Sequence, residues 1–312
     1  MNKLTYQEAE ELVFSTLDWN KQNEYLNQQI LLSQPLPQIK KIKLNCPTPE
    51  NYHISSTSIL NIDGGYKCNL RAINYIYTPE GNYISRDTDG IVRTKNYMVQ
   101  LDHDFNIQQQ QELIDHHEPI YPCHVMGQED VRLFGDYYFC TRLDVNFSHT
   151  PKVCFYNGSL HILNYGNMGT EKNWLPCYDG DCKIIYKFNP LTIYNLNLET
   201  AEMTPFLTKH LGPYSTFRGS AVPILYKDGW LLTIHQVFLN KLRKYIHRFV
   251  WLSKDFNEIK ISDSFYFEKI GVEFSLGIAH SDEGLIVCYS VDDNHSTLAI
   301  VDYDVLNKML GF

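Results

Sequence analysis

Two neighbouring stretches decide how this chain reads: Phe217-Arg218-Gly219-Ser220-Ala221-Val222-Pro223-Ile224 and Gly229-Trp230-Leu231-Leu232-Thr233-Ile234-His235. Three further blocks of the same texture follow: Tyr245-Ile246-His247-Arg248, Val272-Glu273-Phe274-Ser275-Leu276-Gly277 and Tyr289-Ser290-Val291-Asp292-Asp293. All are short and rich in the β-branched and aromatic residues that suit a pleated surface. Each also carries one or two polar residues, such as His235, Glu273 or Asp293, that a plain strand does not need.

Working outward, the same texture runs from about residue 38 to the end. Asp63-Gly64-Gly65, Pro79-Glu80-Gly81-Asn82, Asp89-Gly90, Tyr156-Asn157-Gly158, Asp179-Gly180, Lys227-Asp228-Gly229 and Asp282-Glu283-Gly284 punctuate it as turns. Strand-like runs lie between them, at 71–77, 137–142, 160–163, 184–188, 221–226, 230–235, 248–252 and 285–290. This is an all-β pattern, found in sandwiches, barrels and propellers. Hairpins with Asn-Gly or Asp-Gly turns suggest four-stranded blades, although the repeat is too loose to choose between propeller and sandwich. No linker interrupts residues 38–312.

Residues 1–34 read differently. Leu4, Ala9, Leu12, Val13, Leu17 and Leu26 fall near helical spacing, and Thr5 with Glu8 forms a capping-box pattern. Ser33-Gln34-Pro35-Leu36-Pro37 ends the segment. The expected organisation is a helical extension over 1–37 and one β domain over 38–312. The extension is read either as a dimer contact, which leaves a homo-oligomer open, or as a cap.

The 312 residues carry 36 acidic and 27 basic side chains, a formal charge of -9, without a basic run. That speaks against a nucleic-acid partner. The eight cysteines are scattered with no CxxC pair, and Cys177 and Cys182 lack the companions of a zinc site, so no metal and no cofactor are expected. No segment approaches a membrane span and the N-terminus lacks a signal-peptide pattern. A reduced cytoplasmic protein with buried thiols is the expectation.

Five constellations could carry chemistry. Glu129-Asp130-Val131-Arg132 precedes the strand 137–142. In an extended chain Asp130 and Arg132 share one face and Glu129 takes the other. Glu171-Lys172-Asn173-Trp174 sets a cation beside an amide and an indole, which suits an anion or a sugar as well as a surface turn. His235 closes an apolar strand. Asp292-Asp293 follows the strand after Glu273-Phe274. Arg71 sits mid-strand among apolar neighbours, where a charge requires partners.

Taken in order, these motifs resemble glycoside hydrolase family 130, a family of five-bladed β-propellers, and the related glycosyltransferase family 108 of mannosyltransferases and phosphorylases. Phe217–Ser220, Tyr245-x-His247-Arg248-Phe249-Val250-Trp251 and Glu273-Phe274 carry the likeness together with Glu129–Arg132. The resemblance implies an all-β, five-bladed β-propeller. It implies Asp130 as general acid, Lys172 and His235 as phosphate ligands, and Arg71, Glu129, Arg132, Asn173, Glu273 and Asp293 as sugar-binding residues, with Asp292 in support. Val131 replaces the family's Pro and Ile234 replaces a Tyr. The Arg expected between the acid and the Lys motif is absent from 143–171, leaving Lys152, Arg142 or Arg218 to substitute.

The activity so implied is inverting glycosyl transfer or phosphorolysis on a mannoside-like carbohydrate. Its partners would be inorganic phosphate or a sugar-phosphate or nucleotide-sugar donor. Two alternatives stand beside it: a hydrolase using Glu273 to activate water, and a non-catalytic propeller that binds glycans or proteins. An arabinanase-like hydrolase would need Asp63 or Asp102 as a third inward carboxylate.

Overall fold

In the computed structural model, which describes residues 19–163, 169–212, 216–238 and 242–312, antiparallel meanders follow one another as the blades of a β-propeller. Five sheets have four or more strands, and a small hairpin pairs Tyr75–Tyr77 with Tyr83–Ser85. The four-strand unit is regular in only three of the sheets. The first sheet adds Val125–Met126 to its four strands, and the fourth has seven, because short segments pair on both sides of Gly229–Phe238 and Lys244–Ser253. That irregularity explains the loose sequence repeat.

The N-terminal segment ties two sheets together. Lys40–Lys43 is the outermost strand of the fifth sheet, pairing antiparallel with His295–Val301, while Gln34–Pro35 pairs parallel with Phe265–Tyr266 of the fourth. A strand supplied from the far end of the chain removes an open sheet edge. The helix Trp19–Leu32 precedes it and buries Tyr25, Leu26 and Ile30 against Phe238 and Ile246. Its Gln29 accepts from Arg248 Nη2 at 2.5 Å. The expected capping box and the apolar positions 4–17 lie outside the described residues.

The first strands of the sheets converge on the axis, and the sequence there is small. Ser55, Ser56, Thr57 and Ser58 of the strand His53–Ile62 are buried, as are Ser275 and Ser296. Thr57 Oγ1 meets Ser296 Oγ at 2.7 Å and Thr233 Oγ1 donates to Ser275 Oγ at 3.3 Å. At Gly277 a Cβ would stand 2.7 Å from the Ile59 nitrogen, so only glycine permits the first and fifth sheets to approach this closely. The apolar core lies between the sheets, in separate clusters such as Leu231, Phe249, Phe265 and Tyr289, or Phe134, Phe155, Trp174 and Ile184.

The chain ends in a helix, Tyr303–Leu310, that the all-β reading of 38–312 leaves out. Asp302 caps its first turn, accepting from the backbone of Asp304 and Val305, and Gly311 closes it in the left-handed conformation. All eight cysteines are free and six are buried. Among the described residues no helix is long and apolar enough to cross a membrane, and no group of His, Cys, Asp and Glu could hold a metal ion.

Candidate active site

A cavity of about 520 Å³ opens at the propeller centre. Arg71, Glu129, Asp130, Lys172, Asn173, His235 and Asp293, all singled out from sequence, line it. Residues from blades far apart in the chain thus meet at one place. A larger groove of about 620 Å³ lies elsewhere, between the first two sheets. Its only charged lining residues are Lys67 and Asp136, so convergent titratable groups mark the central cavity as the candidate site.

Strand alternation fails at Glu129–Asp130, and the failure shapes the cavity wall. The strand Glu129–Phe134 pairs Glu129 with Thr141 but Arg132 with Phe139, which leaves Asp130 and Val131 opposite a single residue. This is a β-bulge, a device that re-aims side chains. Asp130 takes φ 51°, a conformation that Asp tolerates better than most residues. Glu129 and Asp130 are therefore both presented to Arg71. Its Nη1 donates to Asp130 Oδ1 at 3.0 Å and its Nη2 to Glu129 Oε1. Burial pushes the Glu129 carboxyl above the usual carboxylate range, against the pull of Arg71.

Arg132 does not share that pocket. It is buried and bonds to backbone, from Nε to the Ser220 carbonyl at 3.2 Å and from Nη1 to the Asp130 carbonyl at 3.2 Å. The sugar-binding role expected of it is corrected to a brace between the bulge and the Phe217–Ser220 segment. The Glu273 expectation is corrected too. Its carboxylate is fully buried, accepts from the backbone N–H groups of Phe267, Glu268 and Lys269 at 2.7, 2.7 and 2.8 Å, and does not line the cavity. The carboxylate expected to activate water is thus committed to holding a loop.

Asp293 faces the cavity with φ 53°. Its Oδ2 accepts from the Tyr75 hydroxyl at 3.1 Å, and its carbonyl meets His53 Nε2 at 3.0 Å. Burial raises its carboxyl above the usual range, with Arg71 and the Tyr75 hydroxyl opposing. Asp292 turns away to Lys269.

The Lys172 motif is a braced loop. Glu171 is buried and accepts from Trp174 Nε1 at 3.2 Å and the Tyr186 hydroxyl at 3.0 Å, so residues 171 and 174 anchor inward while Lys172 projects. Asn173 follows with φ 66°. Gly219 lets this loop approach the fourth sheet: a Cβ there would lie 2.3 Å from the Asn173 carbonyl oxygen. The approach brings Lys172 beside Arg218, which pairs across the ladder with His235. Of the three cations that could replace the missing Arg, only Arg218 lines the cavity. Lys152 donates to the Gly169 carbonyl, and Arg142 is buried against Asp144 and Asp115.

His235 is buried, and its Nδ1 lies 2.7 Å from Ser220 Oγ. Burial holds its pKa well below the ordinary value, and the nearby His247, Arg218 and Lys172 charges act in the same sense, so the imidazole is neutral at pH 7. Neither Lys172 nor Arg218 forms an ion pair among the described residues. Among the described residues the lining has four cations, Arg71, Lys172, Arg218 and Arg243, against three carboxylates, Glu129, Asp130 and Asp293. In a chain of net charge -9, this local excess of cations suits an anion.

Sequence reasoning missed Tyr75, Tyr83, Tyr245, His124 and Arg243, which also line the cavity. Arg243 Nη1 donates to the Tyr83 hydroxyl at 3.2 Å, and its guanidinium sits 5.6 Å from that ring's centroid. These residues come from hairpin tips and strand ends with no local motif. Only their high Tyr content could have signalled them.

β-1,2-Mannobiose phosphorylase from Listeria innocua, solved with β-1,2-mannobiose, aligns over 85% of this chain and 95% of its own, with TM-score 0.53 and 14% identity. This chain has the β-propeller fold of that enzyme. A mannose phosphorylase from Leishmania mexicana, solved with phosphate ion, aligns over 90% and 94% at TM-score 0.52 and 11% identity. A structure from glycoside hydrolase family 130, mannoside phosphorylases among which are hydrolases that target β-1,2 mannosidic linkages in Candida mannan, aligns over 87% and 97% at TM-score 0.57 and 10% identity. No protein-family model and no curated protein matches the chain by sequence.

Proposed function

We propose that this protein is an inverting glycoside phosphorylase acting on mannosides. The observation that carries the reading is the cluster of Lys172, Arg218 and the neutral His235 on one cavity, with neither Lys172 nor Arg218 in a carboxylate ion pair among the described residues. Two fixed cations and an N–H donor suit the three oxygens of a phosphate. The Arg71–Glu129–Asp130 cluster and Asp293 supply the other half, a carboxyl pair and a sugar-positioning acid.

In this mechanism phosphate, held by Lys172, Arg218 and His235, attacks the anomeric carbon from the face opposite the leaving group. The glycosidic C–O bond breaks as the new C–O bond to phosphate forms. Asp130 gives its proton to the leaving oxygen, directly or through a sugar hydroxyl, and recovers one through solvent from the phosphate. Arg71 and Asp293 hold the ring, and Asn173 contributes an amide. Positioning and preorganised charge supply most of the rate in such a step.

The commitment of Glu273 to backbone N–H groups favours phosphorolysis over hydrolysis, because it removes the candidate for activating water. The transferase direction, with a nucleotide-sugar donor, is the second arm of the test. The purified chain is incubated with β-1,2-mannobiose with and without inorganic phosphate, and with GDP-mannose plus mannose. Phosphate-dependent formation of mannose 1-phosphate, lost in Lys172→Ala and Arg218→Ala, supports the reading. Phosphate-independent release of mannose makes the protein a hydrolase. Glycan binding without turnover makes it a binding propeller.

A further inference from the structure

Ser220 is buried completely, and its hydroxyl has one hydrogen-bond partner among the described residues, Nδ1 of His235 at 2.7 Å. Its backbone is fixed on both sides, the N–H to the Thr233 carbonyl at 3.1 Å and the carbonyl to Arg132 Nε at 3.2 Å. The hydroxyl therefore stands at a set point against the imidazole. His235 is itself wedged between Tyr245, at a ring-centroid distance of 5.6 Å, and the edge of Phe274, at 5.2 Å.

Two proton arrangements would satisfy the 2.7 Å contact. If Nδ1 carried the proton and donated, the serine hydroxyl hydrogen would need a second acceptor, and none is present among the described residues. A buried donor left without an acceptor loses its hydration with nothing in return. If the serine donates, Nδ1 accepts and the ring proton resides on Nε2, which has no hydrogen-bond partner among the described residues and belongs to a cavity-lining residue. We infer that Ser220 is a positioning residue that locks His235 in the Nε2–H tautomer, so that the imidazole offers the cavity a neutral N–H donor. The groups packed around it reinforce this. Lys172, Arg218, Arg132 and His247, from four different segments, are all cationic or potentially so, and a second proton on the ring is opposed from every side.

The inference rests on the phosphate-site reading for its consequence, but not for its test. Isotope-labelled protein gives the imidazole nitrogen shifts directly, with His235→Gln identifying the resonances of His235 among the 12 histidines. The expected spectrum has a protonated-type Nε2 and a bare Nδ1, unchanged across the neutral pH range. Ser220→Ala is expected to give a tautomer mixture and to raise the KM for phosphate about tenfold, with a smaller change in kcat. Ser220→Thr restores both, or, if its extra methyl is not accommodated, the nitrogen shifts of Ser220→Ala alone decide. A bare Nε2 in the unmodified protein, or an unaltered tautomer in Ser220→Ala, overturns the inference. A fixed Nε2–H with no phosphate-dependent turnover leaves the inference standing and removes the phosphorylase reading.

Discussion

Arg71 and Asp130 meet across 59 residues of sequence, Nη1 to Oδ1 at 3.0 Å, and the contact exists because a bulge turns Asp130 out of the strand alternation. The same guanidinium holds Glu129. One cation thus holds two adjacent acids side by side on the cavity wall.

Asp130→Asn keeps an oxygen for Arg71 and removes the proposed acid. Turnover is expected to fall about 10²–10⁴-fold, with mannoside binding retained and the melting temperature little changed. Steady-state kinetics with calorimetric binding checks this. Turnover above a tenth of the unmodified rate would take the acid role away from Asp130 and leave Glu129 as the candidate.

Gly219→Ala places a methyl 2.3 Å from the Asn173 carbonyl oxygen and 2.6 Å from Leu175 Cγ. The loop must retreat, carrying Lys172 away from Arg218. The expected result is a loss of about 1–3 kcal/mol of stability and a weakened response to phosphate in thermal-shift measurements. A variant that phosphate stabilises as much as the parent would show that the close approach does not build the anion site.

Glu273→Gln sets an amide NH₂ or its oxygen against three backbone donors. At least one of the bonds is lost and a donor faces a donor. Denaturant unfolding should show a loss of about 1–3 kcal/mol, while turnover per folded molecule is preserved. Abolished turnover at unchanged stability would return Glu273 to the chemistry.

His247 pairs across the ladder with His235 and packs on Phe265 and Phe267. Burial takes it from an ordinary 6.5 down to about 3, and His235 shifts in the same direction. Below pH 6.5 the unfolded chain takes up protons that the native state refuses. The stability that His247 contributes is therefore complete above about 6.5 and drains as the pH falls toward 3, by up to about 1.4 kcal/mol per pH unit, and His235 acts in the same sense. Urea midpoints measured against pH should show this slope, and His247→Leu should reduce it. An unchanged slope would mean that other groups govern acid unfolding.

Much of this was legible in the sequence for local reasons. The strand Tyr137–Arg142 falls where propensity and turns put it. Lys172 stands out because Glu171 and Trp174, on either side of the Lys172-Asn173 pair, are the residues that anchor the loop. The C-terminal helix was equally legible, since Asp302 and Gly311 are ordinary capping residues, but an all-β expectation hid it. The strand His53–Ile62 was harder to read. Its hydroxyl run replaces the apolar alternation that marks a strand, because the crowded axis admits only small side chains.

By itself, then, the sequence determined the β texture, the turns, and which residue types are available at strand ends, since these depend on neighbours a few positions apart. Only the tertiary structure decided which of those residues act together. The bulge at Asp130, the burial of Arg132 and the commitment of Glu273 to a loop arise from contacts between segments distant in the chain. So does the placing of Arg218, rather than Lys152 or Arg142, on the cavity wall, since the folded chain engages Lys152 with a carbonyl and Arg142 with two carboxylates.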